Sequence, residues 1–81
     1  MNLNPVRPQG EPALIRRAIN IQDGFVQAGL LLLDTAEDNK ATELIERIKK
    51  TLRLSETQKD AAWWINSGKG RNFNAELREV E

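Results

Sequence analysis

The chain has 81 residues, twelve basic and twelve acidic, for a formal charge of zero, and it contains no cysteine, histidine or tyrosine. That length gives one domain with a small core. The missing residue types exclude disulfides, a thiolate nucleophile, a zinc site built on sulfur and the commonest general base, so no enzyme, cofactor or metal centre is expected.

Residues 1–11 carry Pro5, Pro8 and Gly10, with Pro12 just beyond. Proline fixes φ and disfavours helix in the residue before it, so this stretch reads as an extended or disordered arm ahead of a single helical domain, 12–81. Pro-Val-Arg-Pro (5–8) formally fits a PxxP ligand, but that spacing is common by chance, and a frayed end or a strap over the core is the plainer role. The start has no apolar signal segment, and the longest apolar run, Ala28 to Leu33, falls far short of the roughly 20 residues that span a bilayer. A soluble, cytoplasmic protein without membrane association is expected.

The most informative stretch is Ala13 to Leu33. Leu14, Ala18, Ile21, Phe25, Ala28 and Leu32 step by four and three, which lines one stripe of an α-helix. Ile15, Ile19, Val26, Leu30 and Leu33 widen it. The phase holds across Asp23 and Gly24, so one helix over about 12–35 is predicted, with Pro12 at its first turn. A helix this apolar needs cover. Two short partners supply too little, so a homodimer with these six residues as its seam is expected. Gly24 and Gly29 each cost about 1 kcal/mol inside a helix, and close packing of a neighbouring helix would account for Gly29.

The segment Asp34–Asn39 reads as a turn. Its carboxylates lack the alternating ligand positions and central glycine of a calcium loop, so Asp38 or Asn39 is read as the N-cap of the next helix, about 39–53. There Ala41, Leu44, Ile45, Ile48 and Leu52 share a face, and Lys49, Lys50 and Arg53 sit at the negative end of the helix dipole. The two helices form an antiparallel αα-hairpin.

Ser55 and Gln58 have capping-box spacing for a third helix, about 55–67, stopped by Ser67 and Gly68. Its five consecutive apolar residues, Ala61 to Ile65, cannot share one face, so one tryptophan enters the core and the other stays partly exposed. After the loop from Ser67 to Asn72, Asn72 or Asn74 caps a short C-terminal helix with Phe73, Leu77 and Val80 on one side. No internal repeat is visible. The expected fold is all-α, a small helical bundle.

Function is less legible. Trp63, Trp64, Lys69, Arg71 and Phe73, around a glycine-containing loop, are the residue types of interface hot spots and form the candidate protein-binding site. The alternative rests on charge. Asp23 to Glu46 carries six acids against Lys40 alone, whereas Arg47 to Arg71 carries seven bases against Glu56 and Asp60. Arg47, Lys49, Lys50, Arg53, Lys69 and Arg71 are therefore candidate nucleic-acid contacts, although a dedicated binder has a positive net charge. The same polarity would help two copies align antiparallel. Gly68–Lys69 lacks the preceding glycine and following hydroxyl of a phosphate-binding loop, and Glu56 and Asp60 have no nucleophile beside them. The expected function is thus a non-enzymatic protein–protein interaction module: an adaptor, assembly factor or stoichiometric inhibitor. Phage and mobile-element accessory proteins acting on host complexes offer an analogy of size and class.

Overall fold

The computed structural model describes residues 2–66 and 70–79. The chain is an all-α bundle. Among the described residues five helices follow one another: α1 Pro12–Asp38, α2 Thr42–Leu52, α3 Leu54–Thr57, α4 Ala61–Ile65 and α5 Phe73–Glu79. At about 1.5 Å per residue α1 is about 40 Å long, close to the molecule's 42 Å long axis. The other helices pack on one side of it, and the shortest extent is only 17 Å.

α1 outruns the expected boundary by three residues, so Asp34–Asp38 is helix rather than turn. The reversal is shorter and built on the backbone. Lys40 takes a left-handed conformation at φ 55°. Its N–H donates to the Glu37 carbonyl, and the Ala41 N–H reaches back to the Ala36 carbonyl at 3.0 Å. These two bonds satisfy carbonyls that the helix end leaves open, the arrangement of a Schellman motif. Neither Asp38 nor Asn39 caps α2, whose N-cap is Ala41.

The segment expected as one helix over 55–67 is broken. α3 is a single turn without a capping side chain, and Ser55 is turned inward, its hydroxyl donating to the Leu52 carbonyl at 2.8 Å. Gln58 and Asp60 are extended. The Asp60 carboxylate then accepts from the Ala62 N–H at 3.0 Å and starts α4. This break resolves the run of five apolar residues: Ala61, Trp64 and Ile65 point into the core, Ala62 is exposed and Trp63 is half-buried. Asn66, left-handed at φ 47°, ends α4, and the predicted stop at Ser67 and Gly68 lies outside the described residues. Asn72 caps α5 through Oδ1, while Val80 lies outside the described residues.

Residues 2–11 form no helix, and Pro8 anchors them on the core. Pro8 is fully buried. The Val6 N–H donates to the Ser55 carbonyl at 2.8 Å, and the Ala61 N–H donates to the Gln9 carbonyl at 2.8 Å. Burial of Pro8 takes half of the PxxP pair away from any ligand.

The core centres on Phe25, whose ring meets Trp64 edge-on at 5.2 Å and Phe73 at 5.0 Å. Buried around them are Ala18, Leu33, Ile48 and Leu52. Gly29 lets α2 and α5 pack closely on α1. A Cβ there would overlap the Leu52 side chain and lie 2.6 Å from the Phe73 ring.

Candidate functional site

The inward face of α1 is Ala18, Gln22, Phe25, Gly29, Leu33 and Ala36. Of the six residues expected at a dimer seam, Ala18 and Phe25 are therefore inside the chain's own core. Leu14, Ile21 and Leu32 are half-buried against that core, and Ala28 alone is exposed. The apolar pattern is displaced from the true facing line because two central positions on that line are Gln22 and Gly29, neither of which reads as apolar.

The candidate hot-spot residues separate into core and surface. Trp64 and Phe73 are core residues at 0% and 3% exposure. The Trp64 indole N–H donates to the Gln58 carbonyl at 2.9 Å, which satisfies its one donor. Trp63 and Arg71 meet at the surface. Beyond α4 the chain doubles back, with the Arg71 N–H on the Trp64 carbonyl at 2.8 Å. Gly70, at φ 81°, lies against Ile21, where a Cβ would lie 3.2 Å from Cδ1. The Arg71 guanidinium thereby lies over the Trp63 ring, 4.0 Å from its centroid. Its Nε donates to the Trp63 carbonyl at 2.6 Å, and another nitrogen pairs with Glu76 at 2.9 Å. The Trp63 ring also meets Trp64, with ring centroids 4.9 Å apart and the planes nearly perpendicular. Lys69 lies outside the described residues.

Three of the six bases proposed for nucleic acid are tied to the protein. Arg47 donates to the Leu77 carbonyl at 2.9 Å and so links α2 to α5. Arg53 pairs with Glu56 at 2.6 Å, and Arg71 is held as described. Lys50 is exposed and Lys49 half-buried, but both share the outer surface of α2 with Glu43 and Glu46. Glu56 also accepts the Asn4 N–H at 2.8 Å. Arg53 first, and then that backbone N–H, hold its carboxyl below the usual range, against a smaller desolvation effect. The arrangement fastens the N-terminal arm.

No group of three or more acidic side chains that could hold a metal ion occurs among the described residues. No helix among them is long and apolar enough to cross a membrane. Sequence reasoning missed Leu31, which is 70% exposed. A signal existed: Gly24 and Leu31 are seven apart on one helix face, about 120° round from Ala18 and Phe25, and a Cβ at Gly24 would meet nothing within 4 Å. No protein-family model matches this sequence, and no curated protein or solved structure matches it.

Proposed function

We propose that the protein is a non-enzymatic binding module that recognises another protein through the surface built by Trp63 and Arg71. The supporting observation is the stack itself. A tryptophan and an arginine, the residue types most often dominant in interfaces, are fixed against each other before any partner arrives. Most of the ordering cost of these side chains is met within the fold, so contacts made by their exposed portions translate more fully into affinity. Phe73 and Trp64 serve as the foundation beneath them. An adaptor, an assembly factor and a stoichiometric inhibitor all use a surface of this kind.

The test is affinity capture with the full chain and two surface variants, Trp63→Ala and Arg71→Ala, read by quantitative mass spectrometry. A protein retained by the native chain and lost from both variants, with both still folded, supports the reading. Equal retention by all three, or none by the native chain, overturns it.

A further inference from the structure

Arg71 is held at three points. Its guanidinium lies over the Trp63 ring, its Nε donates to the Trp63 carbonyl, and its Nη1 donates to Glu76 Oε1 at 2.9 Å. A guanidinium has five N–H donors in a fixed fork. Two are used here, and the others, both on Nη2 among them, meet no acceptor among the described residues. The fork is therefore oriented in advance and only partly occupied.

The carboxylate that holds it is itself well fixed. Glu76 lies on α5, which Phe73 anchors in the core and Arg47 ties to α2 through the Leu77 carbonyl. The two side chains are 22% and 18% exposed, so their pairing is less screened than that of a fully exposed ion pair. Glu76 cancels the charge that Arg71 would otherwise offer. A second carboxylate, or a phosphate, on the same guanidinium would come close to Glu76 and be repelled. An uncharged carbonyl oxygen accepts the same N–H groups without that cost.

We propose that Glu76 determines the specificity of the Trp63–Arg71 surface, admitting a partner's neutral carbonyl oxygens and refusing carboxylates and phosphates. This role presupposes that the pair is a binding surface. The segment that docks there is an uncharged one, with carbonyls for Arg71 and apolar groups for the exposed part of Trp63.

Two polymers of defined chemistry test this by tryptophan fluorescence: poly-L-proline, whose carbonyls have no internal hydrogen bonds, and poly-L-glutamate. The full chain binds poly-L-proline at least about tenfold more tightly than poly-L-glutamate, with little effect of salt. Glu76→Gln keeps an acceptor of the same reach for Arg71 and removes only the charge. It gains at least about tenfold for poly-L-glutamate at low salt, loses that gain at high salt and keeps native circular dichroism. Adding Arg71→Ala abolishes the gain. A carboxylate with a merely structural role would give no gain of affinity when neutralised. A native chain that prefers poly-L-glutamate, or binds neither polymer, overturns the proposal, as does an unchanged preference in Glu76→Gln. Capture of a protein through Trp63 and Arg71 alongside that unchanged preference would leave the binding surface standing and remove only the role of Glu76.

Discussion

Gln22, in the buried middle of α1, donates its side-chain amide to the carbonyl oxygen of Val6 at 2.7 Å. The same nitrogen lies 3.3 Å from the carbonyl of Ser55, which also accepts the Val6 N–H. One polar side chain thus joins the N-terminal arm, the long helix and the turn after α2. Replacing Gln22 with leucine keeps the bulk and removes the donor. Loss of a buried hydrogen bond costs about 1–3 kcal/mol when the acceptors stay buried. The expected outcome is a lower urea midpoint and faster hydrogen exchange at the Val6 amide. Unchanged exchange there would show that the arm is held in place without Gln22.

The two mid-helix glycines give opposite expectations for the same substitution. Gly29→Ala drives a methyl group into Leu52 and Phe73, both in the core. Overpacking of that kind typically costs about 1–3 kcal/mol, which offsets and exceeds the helix-propensity gain of about 1 kcal/mol. Gly24→Ala meets nothing, so only the propensity term acts, and stability rises by about 0.5–1 kcal/mol. Chemical denaturation of dilute protein decides both signs.

These residues also show what the sequence made legible. The hairpin and the amphipathic face of α2 follow from periodicity, because apolar side chains at helical spacing have one way to be buried together. The need for close packing at Gly29 follows from the cost of glycine in a helix. The rotation of α1 about its axis does not. It depends on Gln22 finding acceptors on an arm that local pattern alone leaves extended or disordered. The break between α3 and α4 was equally hidden, since the extended Gln58–Asp60 segment is stabilised by Gln9, about fifty residues earlier in the chain. At the candidate site, residue type pointed to Trp63 and Arg71, but only the fold, with the Arg71 N–H on the Trp64 carbonyl, puts the guanidinium on the ring.

Glu56 makes the N-terminal arm sensitive to acid. Its carboxyl is held below the ordinary range by Arg53 and by the Asn4 N–H, so the folded state binds its proton less readily than the unfolded state does. The stability contributed is present above the unfolded-state value and is lost as pH falls through the lowered folded-state value. The group lies at the surface, which keeps the effect small. Nuclear magnetic resonance of the Asn4 amide should titrate below the usual carboxylate range, and Glu56→Gln should abolish that titration. A midpoint in the ordinary range would count against the pairing.

The tryptophans should respond very differently to truncation. Trp64→Ala removes a fully buried indole at the centre of the aromatic cluster, a change that costs about 3–5 kcal/mol. Against a total of about 5–10 kcal/mol for a domain of this size, that leaves a large unfolded population. Trp63→Ala removes a half-buried ring that meets Arg71 and the Trp64 ring. Far-ultraviolet circular dichroism at 25 °C should show native helicity for Trp63→Ala and a clear loss for Trp64→Ala. Equal losses would place both indoles in the core and remove Trp63 as a binding residue.

Nucleic acid provides the sharpest contrast with a protein partner. Non-specific binding grows with the number of phosphates that basic side chains neutralise. Here Arg47 donates to a backbone carbonyl, Arg53 and Arg71 pair with carboxylates, and Lys49 and Lys50 share their surface with two acids. Contact with phosphate would require breaking these pairs or working against the neighbouring acids, and the chain has no excess charge to offset that cost. Trp63 lies beside Arg71, so its fluorescence reports on any ligand that displaces the guanidinium. Titration with single- and double-stranded DNA and RNA at low salt should therefore give a flat response. A saturable quench that weakens steeply with added salt would instead make the Arg71 guanidinium a phosphate contact, and Trp63→Phe, with Trp64 as the remaining reporter, would then separate stacking on the ring from neutralisation of charge.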